Sequence, residues 1–93
     1  MLLEIITPQK VFFKEVVNLV RVPGTKSPFA LLHNHEAIVS TLEPGTIKVS
    51  TTEKNIEKER YFLLSEKALV EQHDNKITII ATKIKEVGYS ATI

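Results

Sequence analysis

The stretch Thr46-Ile47-Lys48-Val49-Ser50 points to the fold class, because its residues alternate between apolar and polar side chains. Successive side chains of a strand point to opposite faces, so Ile47 and Val49 share one face while Lys48 lies on the other. The segment Lys76-Ile77-Thr78-Ile79-Ile80-Ala81 has a similar pattern. Both segments therefore predict half-buried β-strands.

The segment from Lys10 to Val22 is apolar on both faces in places, with Val16 directly beside Val17. Its valine and phenylalanine residues are poor helix formers, so we expect two strands joined by a bend or bulge rather than a helix. The residues from Leu2 to Thr7 predict another strand. Pro8 ends it, since proline cannot donate to a β-ladder.

Turn-forming residues separate these runs at the spacing of an all-β domain. They predict turns in which proline presets φ, glycine takes a positive φ and Asp or Asn bonds its own backbone: Pro23-Gly24, Glu43-Pro44-Gly45 and His73-Asp74-Asn75. The segment from Glu53 to Arg60 carries six charged residues in eight. It predicts a solvated hairpin tip, with a single helical turn as the alternative.

Seven to ten short strands of this kind bury one face each only if the sheet closes or two sheets pack face to face. The sequence therefore predicts an all-β sandwich or barrel. Its predicted core consists of apolar residues from these runs: Val17, Val20, Val22, Ile38, Leu42, Ile47, Val49, Phe62, Leu64, Ile77 and Ile79.

The composition predicts one small globular domain over residues 1–93, with 43% hydrophobic residues and no cysteine. The 12 Lys and Arg residues nearly balance the 11 Asp and Glu residues, so no excess of positive charge indicates nucleic-acid binding. No apolar run is long enough to span a bilayer, so we expect no direct membrane insertion. The opening Met1-Leu2-Leu3-Glu4 lacks the basic and apolar regions of a secretory signal.

Motifs of catalysis are missing from the sequence, since its three glycines are isolated and no nucleophile elbow occurs. We therefore expect no catalytic residues and no cofactor. The segment His33-Asn34-His35-Glu36 is the one constellation that suggests chemistry. We interpret it as a polar loop or strand end whose histidines bond backbone carbonyls or face a partner protein, and we expect no metal. The alternative is a metal site, because on a strand His33 and His35 share a face and His73 could supply a third ligand.

An ordered series of segments carries a family resemblance. It starts with Leu3-Glu4-Ile5-Ile6-Thr7-Pro8, continues through Val16 to Gly24, and runs without a gap from Ile38 to Val49. Tyr61 to Ser65 and the segment after Lys76 follow in the same order. The series resembles the N-terminal domain of the epsilon subunit of F-type ATP synthase. This resemblance implies a flattened β-sandwich of about ten short strands in two five-stranded sheets.

The resemblance also implies a function. Members of the family are non-catalytic central-stalk subunits of the proton-translocating ATP synthase, peripheral on the cytoplasmic face of the bacterial plasma membrane. They couple the rotation of the membrane rotor ring of c subunits to the gamma subunit and the catalytic head for ATP synthesis. Many carry a C-terminal helical hairpin that can inhibit ATP hydrolysis. We expect that hairpin to be absent here, because the sequence stops at Ile93.

Particular positions match the two interfaces of the family. The gamma-subunit interface is expected at Thr7, His35 and Ser40. The rotor-ring interface is expected in one loop, at Lys26, Ser27, Pro28 and Phe29, with Phe29 either an apolar anchor or a core residue under the loop. Other functions left open by the residues are the metal-binding domain described above and an adaptor that adds a strand to its partner through a sheet edge.

The sequence departs from the family pattern at several glycines. Ala30 and Asn34 stand where the family has glycine, Glu36-Ala37 replaces Ala-Pro, and Glu66-Lys67 replaces a glycine pair. Since each lost glycine removes an easy positive-φ position, we expect these turns to differ in shape.

Overall fold

The computed structural model of the chain describes residues 1–33 and 37–88. Within these residues the chain forms ten β-strands. In chain order they are β1 (Leu2–Ile6), β2 (Val11–Val16), β3 (Leu19–Val22), β4 (Phe29–Leu32), β5 (Ile38–Leu42), β6 (Gly45–Glu53), β7 (Ile56–Leu64), β8 (Ala68–His73), β9 (Lys76–Ile80) and β10 (Ile84–Val87).

The strands form two five-stranded sheets, which confirms the predicted architecture. The first sheet has the order β2-β1-β9-β8-β5 and the second has the order β10-β7-β6-β3-β4. Strands β1 and β9 pair in parallel, and the other neighbours pair antiparallel. All odd-numbered strands end, and all even-numbered strands start, at the same end of the sandwich. We call this the loop end, since it carries the connections 7–10, 23–28, 43–44, 65–67 and 81–83.

The chain passes from the first sheet to the second between β2 and β3, at the predicted bend. The Val17 amide donates to the Met1 carbonyl at 2.8 Å, and the next amide, of Asn18, donates to the Ser50 carbonyl at 2.8 Å. Val17 is therefore fixed to the first sheet while Asn18 is fixed to the second. The adjacent residues Val16 and Val17, noted in the sequence, lie at this crossing.

The core lies between the sheets and contains ten of the eleven predicted residues as fully buried side chains. The exception, Ile38, is only half-buried and lies at the start of β5, an edge strand of its sheet. Phe62 fills the core near the β2 edge, where it contacts Phe12 and Phe13 edge-to-face with ring centroids 5.9 and 5.1 Å apart. Residues buried in addition are Met1, Leu3, Ile5, Phe13, Leu31, Val70 and Ala81.

Two tight hairpins account for every non-glycine residue with positive φ in the described chain. Lys54 and Asn55 have φ values of 51° and 63°, and Asp74 and Asn75 have values of 50° and 60°. Two consecutive left-handed residues match the right-handed twist of the flanking strands. The charged segment from Glu53 to Arg60 thus contains a hairpin turn, as predicted, and not a helical turn.

The expectation that glycine supplies positive φ was wrong, because no described glycine has one. Gly24 is required for space instead. A Cβ atom there would lie 2.5 Å from the Phe29 ring and 2.6 Å from the Ser27 carbonyl oxygen. Ala30 and the Glu66-Lys67 pair also have ordinary φ values, so glycine is not needed at those family positions. Asn34 and Glu36 lie outside the described residues.

Candidate docking surfaces

The loop between β3 and β4 is held against β5 by its first residues. Gly24 forms a bridge with Leu42, and the Thr25 amide donates to the Thr41 carbonyl at 3.1 Å. The Thr25 hydroxyl donates to a carboxylate oxygen of Glu43 at 2.8 Å and lies 2.6 Å from the Thr41 hydroxyl. These bonds hold the start of the β3–β4 loop against the end of β5. The loop therefore has a defined position at this end of the sandwich.

The predicted rotor-ring residues occupy this loop. Lys26, Ser27 and Pro28 are exposed. Phe29 is half-buried and packs against the core, with its ring also closing on the backbone of Gly24. The aromatic ring therefore supports the loop from below, which accords with the core interpretation, and only its remaining surface is open to a partner.

A cleft of about 450 Å³ joins this loop to strand β5. Its walls include Lys26, Ser27 and Phe29 on one side and Ser40 on the other. The Ser40 hydroxyl donates to the Thr41 carbonyl at 3.0 Å. The structure thus brings one predicted gamma-facing residue beside the predicted ring-facing loop.

Thr7 lies elsewhere on the loop end, in the turn between β1 and β2. Its hydroxyl donates to the Lys10 carbonyl at 3.2 Å, and the two backbones bond each other in both directions at 2.9 and 3.3 Å. Thr7 therefore closes the turn and lines a different cleft from Ser40. His35, the third residue predicted at the gamma interface, lies outside the described residues.

The outer face of the first sheet carries an apolar row that the sequence analysis did not identify. Directly paired positions on neighbouring strands place five side chains in a line: Val11, Ile6, Ile80, Leu69 and Thr41. Val11, Ile80 and Leu69 are 53%, 52% and 37% exposed. At the spacing of neighbouring strands the row is about 19 Å long. One end lies beside the Thr7 turn and the other beside Ser40.

The row was not recognised because each member sits in a different strand. Ile80 follows the buried Ile79 in a continuous apolar run, and no pattern within that run shows which one faces out. Only the pairing register aligns the exposed residues. Contiguous exposed apolar patches mark protein–protein contacts more often than single exposed apolar residues, which are ordinary.

The outer face of the second sheet has a polar network in place of such a row. Lys48 pairs with Glu59 at 3.1 Å, and the Tyr61 hydroxyl donates to the same carboxylate. The hydrogen bond from Tyr61 and the nearby Lys48 ammonium lower the pKa of Glu59, and the bond to Glu59 raises the pKa of Tyr61. The two outer faces therefore differ in chemistry, and the first sheet is the better docking surface.

A family model described as the beta-sandwich domain of the ATP synthase delta/epsilon chain matches residues 1–87. The chain belongs to this family. The match covers all ten strands, which confirms the resemblance noted in the sequence.

Two bacterial relatives of the delta/epsilon chain illustrate the similarity. The ATP synthase epsilon chain of Bradyrhizobium sp. (strain ORS 278) is 33% identical over 91 residues, covering 95% of this chain and 64% of the relative. That of Pelotomaculum thermopropionicum is 30% identical over 79 residues, covering 85% of this chain and 55% of the relative. The chain thus spans between about half and two thirds of the length of these relatives.

The delta/epsilon sandwich is also similar to a chain of a solved mitochondrial ATP synthase from Tetrahymena thermophila, in a structure of the central stalk and c-ring. The TM-score is 0.73 at 20% identity, over 91% of this chain and 65% of the other. At this identity the likeness supports the fold.

The histidines of this delta/epsilon sandwich give little support to the metal hypothesis. His33 is exposed after β4, and His73 is exposed at the end of β8, where Nδ1 lies 3.3 Å from an Asp74 carboxylate oxygen. No group of three potential ligands occurs in residues 1–33 and 37–88. His35 lies outside the described residues, so this alternative set of three histidines is untested. The family match favours the stalk interpretation over this alternative.

Within the same described residues, no helix is long and apolar enough to cross a membrane.

Proposed function

We propose that the chain is a non-catalytic central-stalk subunit of a proton-translocating ATP synthase. It couples the rotation of the c-ring to the gamma subunit, so that rotation reaches the catalytic head and drives ATP synthesis. Its site of action is then the cytoplasmic face of the bacterial plasma membrane, where it is held through the complex. Family membership and the central-stalk origin of the Tetrahymena structure support this proposal.

The observation that carries the proposal is the apolar row on the first sheet. A coupling subunit has to hold its partner through surface contacts alone, and a flat row of aliphatic side chains offers such a contact. Thr7 lies at one end of the row. Ser40 precedes Thr41 at the other end, with its side chain on the opposite face of the edge strand β5, in the cleft beside the β3–β4 loop. We therefore assign the first sheet's outer face to the gamma subunit, with these two residues and His35 at its border.

The c-ring contact is assigned to the loop end, through Lys26, Ser27, Pro28 and the open surface of Phe29. This loop is attached to β5 by backbone bonds at both Thr25 and Glu43. Close-packed interiors resist deformation, so a force applied at the loop reaches the first sheet without the body yielding. The geometry therefore suits the transmission of torque between two faces.

The test compares two exposed isoleucines. Ile80, in the row, is 52% exposed, and Ile56, near the far hairpin of the second sheet, is 61% exposed. We expect Ile80→Glu to weaken association with the cognate gamma subunit by about tenfold or more, the loss typical of one interface hot spot. Ile56→Glu should leave affinity within about twofold. Native mass spectrometry detects the complex, and calorimetry gives its affinity.

A second arm tests the ring contact in the assembled enzyme. A photo-crosslinking side chain at Ser27 should capture a c subunit, whereas the same side chain at Asn55 on the opposite hairpin should not. Failure of the unmodified chain to bind gamma at micromolar concentration would refute the coupling role. Equal losses for both isoleucine variants would refute the assignment of the face.

A further inference from the structure

A second cleft at the loop end is lined mainly by lysine and hydroxyl-bearing residues. It measures about 450 Å³ and lies between the β1–β2 turn, Ser65 and the start of β10. A hydrogen bond of 3.2 Å from the Ser65 amide to the Lys83 carbonyl joins two of its walls. Its volume lies within the usual range for small-ligand sites.

The cleft is strongly basic. Its nine lining residues include Lys10, Lys83 and Lys85 and no acidic residue. Lys83 lies 3.5 Å from Glu66, just outside the lining. Lys10 places its ammonium group 5.8 Å from the Phe12 ring centroid. Neither Lys10 nor Lys85 has an ion pair with any residue of the described chain, so two positive charges there stay uncompensated.

Hydroxyl groups complete the lining. Thr7 uses its hydroxyl within the turn, but no side-chain hydrogen bond is formed by Ser65 or Thr82 among residues 1–33 and 37–88. Ammonium and hydroxyl groups are the donors that typically hold phosphate oxygens. Two further clefts of the described surface differ: one has Lys26 as its only lysine, and the other includes Glu71.

We propose that this cleft binds a phosphate group, with Lys10, Lys83 and Lys85 supplying the charge and Ser65 and Thr82 supplying hydroxyl donors. The ligand class is an anionic phosphate ester, either a phospholipid headgroup or a soluble phosphate compound. The cleft opens at the same end of the sandwich as the loop assigned to the c-ring. The headgroup source rests on that proposed function, because the loop end then faces the membrane surface. The phosphate chemistry itself does not depend on it.

The first experiment titrates the full 93-residue chain with inorganic phosphate at low ionic strength and follows backbone amide signals by NMR. Saturable shifts are expected at residues 7–10, 65–67 and 82–85. The double variant Lys10→Gln/Lys85→Gln should abolish them, since neither lysine holds an ion pair that its removal would break. The matched control, Lys14→Gln/Lys54→Asn, removes the same charge outside the cleft and keeps a residue that tolerates positive φ at position 54.

The second experiment separates the two ligand sources. The chain is sedimented with vesicles of phosphatidylcholine alone or mixed with phosphatidylglycerol. If the ligand is a headgroup, the chain should bind only to the mixed vesicles. The cleft variant should bind them roughly 25-fold more weakly, because each lysine near an anionic surface contributes about fivefold in affinity. The control variant should bind within about threefold of the unmodified chain, because its lysines lie away from the cleft.

Saturable phosphate shifts without vesicle binding would support the cleft and assign it to a soluble phosphate compound. Vesicle binding lost only in the cleft variant would support the headgroup source. The proposal is overturned if phosphate produces no saturable shifts and the mixed vesicles do not bind. It is also overturned if the control variant loses as much binding as the cleft variant. These measurements omit the gamma subunit, so their failure leaves the coupling role to its own test.

Discussion

Different kinds of contact join the two sheets at the two edges of the sandwich. At the β4/β5 edge the contacts are made mainly by backbone, through the Gly24–Leu42 bridge and its neighbouring amide bonds, with the Thr25 hydroxyl donating to Glu43 in addition. At the β2/β10 edge the closing group is a side chain. Arg60 makes two hydrogen bonds of 2.8 Å with Glu86 on β10 and one of 2.7 Å with Glu15 on β2.

The Arg60 guanidinium also covers the aromatic core at this edge. It lies 4.8 Å from the Phe13 ring centroid and 5.7 Å from that of Phe62. The bonds to Glu86 and Glu15 raise the pKa of Arg60, and those to Arg60 lower the pKa of Glu86. One edge is therefore joined by an ion-pair network, while the edge next to the candidate c-ring loop is joined mainly by backbone bonds.

This difference predicts that changes at one edge affect both stability and docking, whereas changes at the other edge affect stability alone. Changes at the backbone-closed edge should move the loop and weaken both. Changes at the ionic edge should lower stability while leaving the docking surfaces in place, because Arg60 and its partners contact neither the apolar row nor the β3–β4 loop in the described chain.

The largest effect is expected for Gly24→Ala. Its new Cβ atom would contact the Ser27 carbonyl and the Phe29 ring at under 3 Å, so the loop has to shift. We expect a loss of about 3 kcal/mol in the free energy of unfolding, the upper range for overpacking. Chemical denaturation measures it, and crosslinking from Ser27 to the c-ring should fall in parallel.

Gly88→Ala is the matched control, since no heavy atom lies within 4 Å of the position its Cβ would occupy. It should change stability by less than about 0.5 kcal/mol. If Gly24→Ala were equally mild, the loop would be able to relax, and the picture of a rigid attachment to β5 would be wrong.

A smaller loss is expected for Arg60→Met, which keeps an apolar stem but removes the ion pairs and the stacking on Phe13. We expect about 2 kcal/mol, since the cation–π contacts with Phe13 and Phe62 and two partly exposed carboxylate pairs are lost. Binding to the gamma subunit at a temperature where the variant is folded should be unchanged. The control Arg21→Met removes an exposed arginine that forms no ion pair with the described residues, and it should be nearly neutral. A fall in gamma affinity for Arg60→Met would contradict the separation of the edges.

The sequence was sufficient for the fold because the relevant signals are local. Alternation in β6 and β9, the bend at Val17-Asn18 and the turn residues Asp74-Asn75 each report on their own neighbourhood. The division into two five-stranded sheets came from the family resemblance, and the structure confirms it.

The surfaces were harder to predict because they are assembled from distant segments. The apolar row needs the pairing register of five strands, and the basic cleft needs three turns to meet at one end. Arg60 illustrates the same limit. In the sequence it is one of six charges at a hairpin. Its ion-pair partners Glu15 and Glu86 lie 45 and 26 residues away. Gly24 was identified as a turn residue, but its steric role depends on where Phe29 packs.

The smallest effect concerns the pH dependence of the ionic edge. Because the folded pKa of Glu86 lies below the ordinary carboxyl value of 4.5, the folded chain holds this proton less tightly than the unfolded chain. The stability it contributes is present above that ordinary value and is lost as pH falls through the lower, folded pKa. Glu86 and Arg60 are 44% and 36% exposed, so water screens the pair, and we expect a contribution of only about 0.5 to 1 kcal/mol.

Glu86→Gln isolates this contribution, since it keeps the side-chain shape and removes the titrating group. The variant should be less stable than the unmodified chain at neutral pH, and the difference should shrink to near zero in acid, below the folded pKa. Glu57→Gln, on the exposed hairpin strand, should show no such convergence. Denaturation curves at a series of pH values measure both differences. A constant gap for Glu86→Gln across the series would mean that shape, and not charge, holds β10 to Arg60, and the ionic description of this edge would have to be abandoned.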